Sequence, residues 1–121
     1  MKAVYLTAEQ DAEFDRYVRA WADKLGLDDW EFYRGDGRAK GAMADMVPHF
    51  TARYGKFRTG NWTHIKPTPK ALEGIALHEV LHVFLAELHH VYTTSEDASW
   101  QMSAEHRVIN VLTRLLATGL V

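Results

Sequence analysis

Residues 78–82 read His-Glu-Val-Leu-His, and three of those five side chains can do metal chemistry. On a helix, His78 and His82 lie four apart on one face, near enough for an imidazole nitrogen of each to reach one ion at about 2.0–2.1 Å. Glu79 projects beside the pair, where its carboxylate can take a proton from a water held by that ion. The spacing H-E-x-x-H carries this meaning only when a helix presents it, so the surrounding residues decide.

Those residues predict a helix. Thr68 suits the N-cap and Pro69 the first helical position, and the apolar spacing continues to about residue 90. Ile75, His78, His82, Leu85 and His89 form one stripe, with Leu77, Val80, Leu81, Phe84 and Leu88 on the adjoining face. A helix apolar over so much of its circumference is expected to be buried, which gives buried imidazoles and a buried carboxylate in need of partners. The plainest alternative makes the two histidines hydrogen-bonded core residues and leaves Glu79 at the surface.

Other elements must position this helix. Thr7 and Gln10 have capping-box spacing, and Phe14, Tyr17, Val18, Trp21 and Leu25 recur helically, so a first helix is expected over about 8–25, ended by Gly26. Trp30 to Arg34 reads as a strand, and Gly35-Asp36-Gly37 as a turn leading by hairpin into a second strand, Ala39 to Val47. Pro48 ends that strand or marks an edge. Phe50 to Ile65, aromatic and basic, holds one or two more strands, with Tyr54, Phe57 and Trp62 lining either a pocket or the core. A last helix is expected over about 97–118, where Ala104, Val108, Val111, Leu112, Leu115 and Leu116 repeat. Helix, small sheet of three to four strands, helix and helix make one α+β domain over residues 1–121.

Composition narrows the chemistry. The chain has no cysteine, which removes disulfides, thiolate zinc sites and cysteine nucleophiles, so a metal must be held by His, Asp or Glu. Peptide deformylases, which add a Cys ligand to the same motif, are disfavoured. No apolar run nears the roughly 20 residues that cross a bilayer, and Met1 to Gln10 lacks a basic-then-apolar leader; the expected setting is cytoplasmic, without membrane contact. Residues 32–70 hold eight Lys/Arg against Asp36 and Asp45, a net of +6, between two acidic flanks. That bias fits a solvated sheet face or contact with nucleic acid through residues 34–70, although a pI of 6.4 lacks the basic signature of a dedicated binder.

Zinc needs at least three protein ligands. His89 lies two turns beyond His82, about 10 Å along the axis, too far to share the ion. Glu96, Asp97, Glu105 and His106 remain. Glu105 shares a stripe with Val108, Ile109, Leu112 and Leu116, and a carboxylate on an apolar face is costly unless paired or bound to metal, which favours Glu105. Glu96 and Asp97 suit a helix start, where acids complement the dipole; His106, on a more polar edge, is a substitute ligand or a neighbour of the metal.

With His78, Glu79, His82 and then Glu105 on a following helix, 23 residues after His82, the chain resembles the gluzincin zinc peptidases. It looks most like their minimal single-domain members, and is also similar to the ImmA/IrrE-type and SprT-like peptidases. Leu85 and Leu88 stand where metzincins carry Gly and His. Ile109 stands where thermolysin-type gluzincins have an acid, so His78 or His82 takes its orienting hydrogen bond elsewhere, with Asn110 one candidate. The resemblance implies a zincin-like fold and Zn²⁺ held by His78, His82 and Glu105. It also implies peptide-bond hydrolysis by a zinc-activated water, with Glu79 as general base, and a second oxyanion donor such as Tyr92, Tyr54 or His106. The substrate is a peptide or protein laid as an extra strand on a sheet edge, for which residues 50–65 are the candidate, and a partner chain is one way to complete so small a cleft. Two other expectations stand beside this one: a non-catalytic zinc-binding regulatory or interaction module, and an SprT-like protease associated with nucleic acid.

Overall fold

In the computed structural model the chain is described over residues 2–94 and 106–112. Helix α1 spans Ala8–Lys24, strand β1 Glu31–Arg34, β2 Ala44–His49, β3 Tyr54–Thr59, and helix α2 Pro69–Thr94; residues 106–112 are helical. This is the α+β order of elements expected. The remainder of the last predicted helix, 97–118, lies outside the described residues.

Helix α1 begins with the capping box. The Gln10 amide donates to Thr7 Oγ1 at 3.1 Å and the Thr7 amide to Gln10 Oε1 at 2.9 Å, so two otherwise unpaired donors are satisfied reciprocally. Glu9 and Asp11 in the first turn and Lys24 in the last complement the helix dipole. Phe14, Val18, Trp21 and Ala22 form the buried stripe. The chain leaves the helix through Gly26, whose φ of +74° allows the Leu27 amide to reach back to Ala22 O at 2.8 Å.

The sheet departs from the expected hairpin between the first two strands. Its order is β1-β3-β2: β1 runs parallel to β3, pairing Phe32 with Gly55, and β2 runs antiparallel to β3, pairing Met46 with Phe57. The Gly35-Asp36-Gly37 cluster bends the chain without reversing it onto β1. The Gly35 amide instead donates to Phe57 O at 2.8 Å and the Ala39 amide to Thr59 O at 3.0 Å, so Ala39 to Met43 forms a loop over the end of β3 rather than the start of a strand. That loop lies so close that a Cβ at Gly60 would collide with the carbonyl oxygens of Ala42 and Ala39. The hairpin is β2–β3. Its four-residue turn ends on Arg53, a non-glycine residue with φ of +54°, and Arg53 is held there by Asp29 at 2.9 Å and Glu87 at 3.0 Å. Without a glycine at the left-handed position, the turn gave little sign of itself.

Residues 50–65 therefore hold one strand, the central one, and cannot be the free edge. The edges are β1 and β2, and Pro48 in β2 fits an edge, where no ladder donor is needed. One sheet face packs on the helices through Phe32, Ala44, Phe57 and Thr59, all buried; Tyr33, Val47, His49 and Lys56 face outward. Phe57 and Trp62, at 0% and 1% exposure, belong to the core, joined by Phe14, Val18, Leu72, Ala76, Val80 and Val83. Truncating Phe57 to Ala opens a cavity at the middle of this core and is expected to cost about 3–5 kcal/mol. Urea unfolding checks it, through a lower midpoint at unchanged slope.

An ion-pair cluster ties the ends together. Glu87 on α2 accepts from Trp30 Nε1 at 3.2 Å, Arg53 at 3.0 Å and Arg107 at 3.0 Å. Arg107 also reaches Asp29 at 3.1 Å and the Gly26 carbonyl, which docks residues 106–112 against the turn after α1, with Val111 buried.

Candidate metal centre

Helix α2 starts as its sequence suggests. The Ala71 amide donates to Thr68 Oγ1 at 3.2 Å and the Leu72 amide to Thr68 O at 2.9 Å, with Pro69 at the first helical position. Leu72, Ala76, Val80, Val83 and Phe84 then fill the core, every one of them 3% exposed or less. That choice of inward face fixes where the chemistry points. His78 and His82 lie on the outward side, and both are exposed, while Glu79 is buried at 7% exposure.

Burial of the two imidazoles was expected and is not observed. The apolar pattern was wide enough for several inward faces, and the fold selects the one centred on Leu72, Ala76 and Val80. Leu85 is left 54% exposed and Ile75, Leu77 and Leu81 are partly buried. The arrangement also reverses the plain core-histidine alternative, since the carboxylate is the buried member.

The Nε2 atoms of His78 and His82 are 3.1 Å apart, with ring centroids at 4.7 Å and planes at 82°. Two nitrogens bound tetrahedrally to one zinc at about 2.0–2.1 Å are roughly 3.3 Å apart, so the pair is already close to ligand spacing. Donor atoms of His78, Glu79 and His82 all fall within 4.8 Å of one another. Two imidazole nitrogens and a carboxylate are donors that zinc accepts readily. Among the described residues, this is the one group of three such side chains that gathers.

Burial holds the Glu79 carboxyl above its ordinary value, opposed by the pull of His82 and His78; Asp45 adds to the push. Asp45 is a residue that the sequence reading missed. It lies on β2, 34 positions before Glu79, and only the packing of the edge strand beside α2 brings its charge to bear on the motif. Arg58 on β3 binds it through two hydrogen bonds, Nε to Oδ1 at 3.2 Å and Nη2 to Oδ2 at 2.6 Å, which offsets its charge near the site.

The other sequence candidates sort as follows. Glu105, the favoured third ligand, lies outside the described residues, as do Glu96, Asp97 and the side chain of Tyr92. His106 begins the described part of the last helix, is exposed, and does not join the gathered group. Asn110 is exposed as well. Tyr54 packs between His49, stacked at 4.3 Å, and Tyr33, edge-on at 6.0 Å. Of the eight cations in the basic middle, Arg34, Arg53 and Arg58 are engaged by acids, so part of that positive excess is neutralised within the fold. No helix among the described residues is long and apolar enough to cross a membrane.

Comparison of the chain with protein-family models, with curated proteins and with solved structures returns no match. The grounds for a functional reading are thus the site's own residues.

Proposed function

We propose that this chain is a small zinc-dependent peptidase of the gluzincin kind, hydrolysing peptide bonds in a peptide or protein. The single observation that carries the reading is the division of labour within the motif: two exposed imidazoles at ligand spacing, and a buried carboxylate within reach of both. His78 and His82 hold the metal, with Glu105 from the last helix as the proposed third ligand and His106 as the substitute. A zinc ion so held supplies Lewis acidity, polarising a carbonyl and acidifying water.

The protein's own groups do the rest. Glu79 takes a proton from the attacking water, whose oxygen bonds to the carbonyl carbon; the C–N bond then breaks and the same proton is returned to the leaving nitrogen. A carboxyl whose affinity for protons is raised by burial is better suited to this shuttle than a fully solvated one. The outer edge of β2, beside α2 and unpaired with any strand among the described residues, offers main-chain donors and acceptors to an extended substrate.

A purely structural zinc module is the weaker reading, for two reasons. Such a site has no need of Glu79, and the core around Phe14, Phe57 and Val80 closes without the exposed histidines. The test is incubation of the zinc-loaded full chain with a peptide library, with new termini read by mass spectrometry. Cleavage that a chelator stops without unfolding the protein, and that added zinc restores, supports the proposal. No cleavage at any zinc loading contradicts it.

A further inference from the structure

One turn before His78 on the outward face of α2 stands Gly74, and the described residues give no reason for a glycine there. Every other described glycine either has a left-handed φ or has a neighbour that would crowd a Cβ. Gly74 has neither: it is helical, exposed, and a Cβ built on it meets nothing among the described residues within 4 Å. In a helix interior glycine is among the least favourable residues and alanine the most favourable. The bare position therefore weakens the helix that presents the metal ligands, with no packing or backbone need behind it among the described residues.

What it leaves open is space beside the site. Lys70, Gly74, His78 and His82 are exposed in succession at four-residue intervals, a continuous outward strip of α2. Position 74 is one turn N-terminal to His78 on that strip, so a long side chain there would stand on the N-terminal side of the His78–His82 pair, while its Cβ has no His78 side-chain atom within 4 Å. Glycine is the residue used where a ligand must come close to backbone.

We infer that Gly74 is a specificity-determining position: its bare Cα is the floor over which the main chain of an extended peptide passes to reach the His78–His82 pair. The inference rests on the peptidase reading. A side chain at 74 excludes a long substrate while leaving the metal ligands and small ligands untouched.

The test uses the full-length chain as wild type, Gly74→Ala and Gly74→Leu. Zinc-loaded protein is titrated by calorimetry with acetohydroxamate and with a tripeptide hydroxamate, and the melting temperature is read without metal. Both variants are expected to melt about 2–6 °C higher and to bind acetohydroxamate as wild type does. The tripeptide probe should weaken roughly tenfold in the alanine variant and about 100-fold or more in the leucine variant. Unchanged tripeptide binding in the leucine variant overturns the inference, and so does equal weakening of both probes, which would mean that the metal site itself is disturbed. If neither probe binds zinc-loaded wild type, the peptidase reading fails first and the role of Gly74 falls with it.

Discussion

Glu79→Gln is expected to reduce peptide hydrolysis by about 10²- to 10⁴-fold while zinc stoichiometry stays at the wild-type level. Glutamine keeps the shape of the side chain and cannot take up the proton, and the two imidazoles four residues apart are untouched. A second effect has the opposite sign. Burial raises the folded-state affinity of Glu79 for its proton above the ordinary carboxyl value, so ionising it costs folding stability. That cost is absent below the ordinary carboxyl value of about 4.3 and grows as pH rises from there toward the raised folded value, above which it is constant. In chelator, the glutamine variant should therefore melt higher than wild type at pH 7, with the gain gone near pH 4. Activity assays beside melting curves at the two pH values check both arms. A variant that keeps turnover removes Glu79 from the mechanism, and one that melts no higher at pH 7 removes the burial argument.

His82→Ala and His78→Ala are each expected to weaken zinc binding by more than about 100-fold, beyond what loss of an outer hydrogen bond produces. Both side chains are exposed, so the metal-free fold should change by no more than about 0.5 kcal/mol. His89→Ala, exposed on the same helix but two turns away, should bind zinc as wild type does. Competition against a chromophoric chelator measures all three. Wild-type affinity in His82→Ala would show that zinc binds somewhere other than the motif.

Much of this site could be read from the chain itself, because the information was local. Four-residue spacing, a Thr-Pro helix start and a capping box at Thr7 and Gln10 each depend on neighbours a turn apart, and each is seen. What sequence did not reveal was set by contacts distant along the chain. The strand order β1-β3-β2 depends on the loop at Ala39 docking over Gly60 and on Arg53 being held left-handed by Asp29 and Glu87. The exposure of His78 and His82 depends on which of several apolar faces α2 turns inward, a choice made by packing against α1 and the sheet. Asp45 came into play for the same reason: an edge strand's position beside α2 is a tertiary fact.

The central claim is that one zinc ion binds between the imidazoles of His78 and His82. The direct measurement is anomalous scattering at the zinc edge from crystals of the zinc-loaded chain. A single strong peak within about 2.0–2.1 Å of both Nε2 atoms, with Glu79 free of the ion and Glu105 or His106 bound to it, is the predicted result. A stoichiometric zinc peak at any other place, or no peak beside the pair in protein saturated with zinc, would contradict the account.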